Sequence, residues 1–295
     1  MYWTKRQISI MTVVAVTAFM ATFLVSSINI ALPSIEKSFN LDAVALSWVI
    51  TAFLLATAMF LLPVGRWGDL TGIRRLFKVG VLIFTVSSMV CGLSGSGFWL
   101  ISFRFIQGIG AALTNTTGPA ILVSSFSPQH RGQVLGISVS AVYLGLAFGP
   151  FVGGLLTQYF GCGALFWVVA ALGMLTTAIS YLFLGKDSTP ARVKNKIDLR
   201  GTLFYMLGLV ALVYGSSFIP KASGWFMLGG GLVALVVFWV FENRSSMPVI
   251  QTKLYTRNRL FAYSNLAALI NYSATFAIVF LLSLYLQNIL NLSPR

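Results

Sequence analysis

Charged residues cut the chain into long uncharged runs. Residues 7–35, 43–65, 79–103, 105–129, 132–185, 201–220, 222–241 and 260–294 contain no Asp, Glu, Lys or Arg. Within the runs the apolar positions are continuous rather than alternating. That excludes strands, because a barrel strand needs only about 10 residues and alternates its apolar positions. A helix crossing a bilayer needs about 20 apolar residues. The run 132–185 therefore holds two helices, hinged near Gln158–Gly163, and the Gly/Ser cluster at 94–97 is a tight turn between two more. The pattern predicts nine spans, over residues 10–32, 45–65, 76–95, 98–123, 133–157, 163–184, 201–219, 225–241 and 261–287.

Composition agrees with an all-α integral membrane protein. Of the 295 residues 57% are hydrophobic and 9% charged, against roughly 25% charged in soluble chains. A soluble enzyme, a disordered protein and a disulfide scaffold are excluded. Lys5 and Arg6 resemble a signal-peptide n-region. The apolar run behind them is too long, and Ala31-Leu32-Pro33 is a poor cleavage site, so the first span reads as a retained helix. Cys91 and Cys162 sit in apolar stretches and read as buried thiols.

The net charge of +14 would point to nucleic acid in a soluble protein. Its distribution gives another explanation. With the N-terminus inside, sixteen of the twenty Lys and Arg fall on inner segments and three (Lys37, Lys221 and Arg295) on outer ones, with Arg104 inside a span. This asymmetry predicts a cytoplasmic N-terminus and an anionic inner leaflet as partner, with no nucleic acid. Two longer polar inner segments, 185–200 and 242–260, separate six spans, then two, then one.

Four stretches carry candidate chemistry. Between spans two and three lies Gly65-Arg66-Trp67-Gly68-Asp69-Leu70-Thr71-Gly72-Ile73-Arg74-Arg75. Asp69 stands at the membrane boundary, where it pairs with a cation or faces a helix N-terminus, unless the stretch is an ordinary basic turn. In span four, Arg104 lies roughly 10 Å from Gly97 along the axis. Gln107, Ala111 and Asn115 follow at i+3, i+7 and i+11 on the same face. A charge at that depth faces a cavity or partner, or snorkels. Span five carries Gly145, Gly149 and Gly153 on one face, with Pro150 and Gly154 beside them, which permits close packing and a bend. On span one Thr22, Ser26, Asn29 and Pro33 share a face. They either line a cavity or hydrogen-bond neighbouring helices.

Together these elements resemble the major facilitator superfamily, specifically its fourteen-helix drug–proton antiporters of the EmrB/QacA type. Residues 65–75 look like the family's G-x-L-A-D-r-x-G-r-k loop, with Trp67 and Gly68 in the places of Leu and Ala. Arg104-x-x-Gln107-Gly108-x-Gly110 looks like its fourth-helix motif, residues 145–154 its fifth-helix antiporter motif, and Asn29-Ile30-Ala31-Leu32-Pro33 the end of its first-helix motif. Pro248 and the basic run to Phe261 are also similar.

The resemblance implies a six-helix N-terminal bundle (1–184), a cytoplasmic linker (185–200), two linker helices (201–241), a cytoplasmic loop (242–260) and the first helix of an incomplete C-terminal bundle (261–295). It implies a multi-pass protein of the cell membrane that exports drugs or other small amphiphilic molecules by alternating access, with a proton gradient rather than a cofactor as its energy source and oligomeric state left open. Arg104, Gln107, Asn115, Asn29 and Ser26 would then serve coupling or line the cavity. Gly65, Asp69, Gly72, Arg74 and Arg75 would form the cytoplasmic gate, and Gly145, Gly149, Pro150, Gly153 and Gly154 the sliding helix. A transporter fragment, a split-gene product, a channel and a structural membrane subunit are the alternatives. A membrane hydrolase is disfavoured because the one histidine, His130, lies in a loop, and a metal site because the two thiols are far apart in sequence and no carboxylate is expected in a span. The six acids are Glu36, Asp42, Asp69, Asp187, Asp198 and Glu242. Leu24 stands where the family usually has Asp, at the edge of any cavity that Thr22 and Ser26 line, so this half is expected not to select cations.

Overall fold

The computed structural model describes residues 3–185, 187, 199–244, 255 and 257–288. Lys186, Arg192, Lys194, Lys196, Asp198, Pro248, Lys253 and Arg295, which the charge and motif patterns above include, lie outside the described residues.

All regular structure among the described residues is helical. In chain order the helices are α1 (Lys5–Phe39), α2 (Ala43–Thr71), α3 (Ile73–Gly92), α4 (Gly97–Ser125), α5 (Arg131–Phe160), α6 (Gly163–Phe183), α7 (Leu199–Ser216), α8 (Ala222–Arg244) and α9 (Arg259–Asn288), with a short 3₁₀ turn at Pro128–His130 before α5. Each expected span coincides with one helix, but most of the helices run further. Hydropathy marks the bilayer core, whereas a helix stops where its backbone groups find other partners. Thr4 and Gln7 form a reciprocal capping box that starts α1 five residues before the apolar run, and Asn40 ends it in the left-handed conformation at φ 51°. Asp42 starts α2, accepting from the Ala45 N–H at 2.7 Å. Ser96 caps α4 in the same way.

One expectation is corrected here. Glu242 belongs to α8 rather than to the loop, and its side chain is 2% exposed. Among the described residues six helices (α1, α2, α3, α5, α6 and α8) are long and apolar enough to cross a membrane by length and composition. α4 is not among them, because Arg104, Gln107 and the run Thr114-Asn115-Thr116-Thr117 dilute its apolar character.

Packing assembles a bundle in which α4 lies against α2 and α3, α3 also against α6, and α1 mainly against α5 and α6. Two apolar clusters fill it. Met20, Leu24, Ile28, Val49, Phe53, Phe84, Leu100, Phe166 and Val169 belong to one; Val13, Phe77, Val81, Ile121, Leu122 and Val134 belong to the other. α7 and α8 form a hairpin closed by glycines: a methyl on Gly224 would lie 2.9 Å from Gly215 O, and one on Gly231 3.0 Å from Gly208 O. The hairpin touches the bundle through α2, where the Tyr205 hydroxyl donates to Ala58 O at 2.9 Å.

Candidate functional site

α4 is drawn tightly between its neighbours by its own glycines. A methyl on Gly108 would run into the Phe53 carbonyl of α2 and Ala56 Cβ, and one on Gly110 would lie 2.6 Å from Phe84 N of α3. This contact leaves room for backbone only, and it brings Arg104, one turn earlier, into the sealed interior. Arg104 and Gln107 are both 0% exposed.

The Arg104 guanidinium is held on several sides. Nε donates to Val49 O of α2 at 3.0 Å, and Nη1 donates to Gln107 Oε1 at 2.6 Å. Its carbon lies 4.3 Å from the centroid of the Phe53 ring. Gln107 Nε2 donates to Ser88 Oγ of α3 at 2.6 Å, and Ser88 Oγ donates to Phe84 O at 2.6 Å. One polar chain therefore ties α2, α4 and α3 together through the apolar core. Burying a charge costs several kcal/mol. Hydrogen bonds to a charged group return about 1.5–3 kcal/mol each, and a desolvated cation–π contact about 2 kcal/mol. Among the described residues no carboxylate pairs with Arg104, and its Nη2 is buried without a hydrogen-bond partner. The group is held in place without being neutralised.

The second element is the seam between α1 and α5. Gly145, Gly149 and Gly153 are buried on α5. A methyl on Gly149 would lie 2.6 Å from Ser26 Cβ, and one on Gly153 2.6 Å from Ser27 Cβ. The hydroxyls on α1 use this close approach. Thr22 donates to Val142 O at 3.0 Å, Ser26 to Leu146 O at 3.0 Å and Ser27 to Gly149 O at 2.9 Å. Of the two roles open to Thr22 and Ser26 from sequence, the helix–helix bond is the one the structure contains. Pro150 lies on the exposed face of α5 and Gly154 is half-buried.

The third element is the turn from α2 to α3. Gly72 takes φ 100°, a conformation that favours glycine, and caps α3 without a side chain. The cap comes from elsewhere: the Asp187 carboxylate accepts from the backbone N–H of Arg74 at 3.0 Å and of Arg75 at 3.1 Å. Lys78 Nζ donates to Gly185 O at 2.9 Å, so the segment leaving α6 is fastened to the start of α3. Of the placements open to Asp69 from sequence, the structure contains the one beside a cation. It is 69% exposed and lies 3.8 Å from Arg66, one turn back on α2, a contact of little energetic weight. Gly65 is half-buried near Thr116. Loss of an N-cap typically costs about 1 kcal/mol. Asp187→Ala is therefore expected to speed amide hydrogen exchange in the first turn of α3 severalfold, leaving α4 exchange unchanged. Unchanged exchange at Arg74 and Arg75 would show that Asp187 does not hold the turn.

Two expected site residues, Asn115 and Asn29, stand apart from these elements, and the expected position of Leu24 is corrected. Asn115 and Asn29 are exposed, and neither shares in the hydrogen bonds of Arg104 and Gln107. Leu24 is 0% exposed, packed in the apolar cluster rather than at a cavity edge. Residues missed from sequence are Val49 and Phe53, which hold Arg104, Ser88, which accepts from Gln107, and Asp187. An uncapped helix starting at a glycine was the available signal for Asp187.

Comparison with known proteins places these elements in a family. A family model described as Major Facilitator Superfamily matches residues 14–294. The riboflavin transporter RibZ of Clostridioides difficile is 29% identical over 98% of this chain and 63% of its own length. The multidrug resistance protein Stp of Mycobacterium tuberculosis is 30% identical over 90% of this chain and 50% of its own. The methylenomycin A resistance protein of Bacillus subtilis is 29% identical over 95% and 60%. The chain thus spans between one half and two thirds of the length of these relatives. The POT family transporter PepTSo shares the fold with a TM-score of 0.59 at 15% identity, over 81% of this chain and 52% of that one.

Proposed function

The chain belongs to the major facilitator superfamily, and on that premise we propose that it works as a secondary transporter exporting drugs or other small amphiphilic molecules by alternating access. The subtype is the fourteen-helix drug–proton antiporter, with α1–α6 as the N-terminal bundle, α7 and α8 as linker helices and α9 as the first helix of the second bundle. The protein lies in the cell membrane with its N-terminus in the cytoplasm, and a proton gradient drives it. Relatives named for multidrug resistance and methylenomycin A resistance favour amphiphilic drugs as substrates.

The observation that carries the proposal is Arg104, buried to 0% and bonded, with no carboxylate partner among the described residues. A charge in a bilayer-crossing bundle is a functional marker because a purely structural helix is more stable without it. In this mechanism the α2–α3–α4 core moves as one unit, locked by Arg104, Gln107 and Ser88. The glycine seam between α1 and α5 lets backbones shift past each other without side chains interlocking. The test is drug susceptibility in a pump-deficient bacterial host. Expression should raise tolerance to amphiphilic drugs severalfold, and unchanged tolerance to a broad panel would count against drug export.

Orientation has its own check. The basic residues Arg6, Arg74 and Lys78 gather around Gly185, just past the end of α6, as charge asymmetry requires of one inner end. In a background with Cys91 and Cys162 replaced by alanine, single cysteines beside Lys37 and Lys221 should react with an impermeant thiol reagent from outside. Those beside Arg74 and Arg257 should not. Reversed labelling would overturn the topology.

A further inference from the structure

Cys91 stands in the last turn of α3 and Cys162 directly precedes α6, yet both line one cavity of about 130 Å³ at the end of the bundle opposite Gly185. The fold closes the sequence separation that disfavoured a metal site. A methyl on Gly163 would lie 3.2 Å from Gly92 O, so the backbones beside the two cysteines approach without side chains between them. Cys91 is buried and Cys162 is half-buried, which makes the Cys162 side the way in. Phe39, Leu100 and Phe166 supply apolar walls. Ser94 is the one hydroxyl among the lining residues, and its Oγ donates to Val90 O at 3.1 Å.

A cysteine that only fills a core packs without leaving space. These two border a cavity, and they are free thiols rather than a disulfide. The donor set decides what the space suits. Thiolates are soft ligands and select ions such as Cu(I). A structural zinc site needs four ligands, and among the described residues no three His, Cys, Asp or Glu side chains form a metal-binding group. A hard cation needs several oxygen ligands, and no carboxylate lines this wall. A soft ion held by two thiolates fits what is present. Charge agrees with it. Leu100, one turn before Arg104 on α4, lines the same cavity, and Cys91 lies within electrostatic reach of the guanidinium. Two thiolates around a monovalent ion carry one net negative charge. Arg104 has no carboxylate partner among the described residues, and its Nη2 makes no hydrogen bond. We propose that Cys91 and Cys162 form a two-thiolate binding site for a soft monovalent metal ion of the Cu(I) class. Binding releases one proton from each thiol and changes no oxidation state. The site shares no residue with the Arg104–Gln107–Ser88 chain, and it stands whether or not the drug-export proposal does.

The test uses the full chain in maltoside micelles, reduced and anaerobic, with Cu(I) as probe and a chromophoric Cu(I) chelator as competitor. The wild type should take up one equivalent, and X-ray absorption should show two sulfur neighbours with no oxygen or nitrogen. Cys91→Ser and Cys162→Ser should each lower affinity more than about 100-fold, because losing a mere supporting group around a metal already costs about 10–100-fold. Cu(I) should raise the unfolding temperature of the wild type and of neither variant. Unchanged unfolding of the metal-free variants verifies their fold. Should Cys91→Ser destabilise the bundle, Cys162→Ser, at the half-buried side, carries the test. Excess zinc should not displace the probe. Wild-type affinity in Cys162→Ser, oxygen or nitrogen neighbours around the metal, or displacement by zinc would overturn the proposal. So would purified protein whose two thiols titrate only after reduction, which would make the pair a disulfide.

Discussion

Arg104→Ala is expected to abolish transport while the protein still inserts into the membrane. The substitution removes the donor to Val49 O and the donor to Gln107 Oε1, and it empties the space over the Phe53 ring. Large-to-small core changes cost about 2–5 kcal/mol. Removing a buried, uncompensated charge returns part of that, so insertion and folding survive. The polar tie from α2 through α4 to α3 does not. A shift of about 3 kcal/mol between two access states changes their ratio more than ~100-fold, enough to strand the protein in one of them. Arg104→Lys keeps the charge but not the planar fork that reaches a carbonyl and an amide together, so it should insert normally and transport poorly. Drug efflux and membrane-fraction yield, measured on the same cells, separate the two effects. Wild-type efflux by Arg104→Ala would show that the network only packs.

Gly149→Leu should impair transport nearly as severely. The first added carbon would lie 2.6 Å from Ser26 Cβ and 3.0 Å from Phe23 O, so α1 and α5 must separate. Separation stretches the Ser27 bond to Gly149 O. Overpacking costs about 1–3 kcal/mol, and the cost differs between access states wherever the seam shifts. Gly136→Leu is the control, since nothing lies within 4 Å of a methyl there, and it should leave efflux and yield unchanged. Equal efflux by both variants would remove the seam from the mechanism.

The helices were legible because each charged residue in a bilayer is costly, so gaps between charges outline the spans. Their ends were not, because Thr4, Asp42 and Ser96 extend helices into polar sequence by capping them. Glu242 shows the same limit: it follows an uncharged run yet remains helical and buried. Depth made Arg104 stand out, and i+3 spacing brought Gln107 to it. The same periodicity does not bring Asn115 to this pair. Eleven residues bring the side chain back to nearly the same angle but about 16 Å further along the axis, where it is exposed. Leu24 was misplaced because the face of α1 bearing Thr22 and Ser26 meets α5 rather than a cavity. Asp187 reaches Arg74 and Arg75 across more than a hundred residues, a pairing no local pattern encodes.

The central claim is gradient-driven movement of a small molecule by this protein. Its most direct measurement is uptake of a fluorescent amphiphilic drug into everted vesicles energised by an imposed proton gradient, at increasing drug concentration and with or without an uncoupler. The account predicts saturable uptake that collapses with uncoupler and is lost in Arg104→Ala. Uptake that rises linearly with concentration, ignores the uncoupler and persists in Arg104→Ala would contradict it.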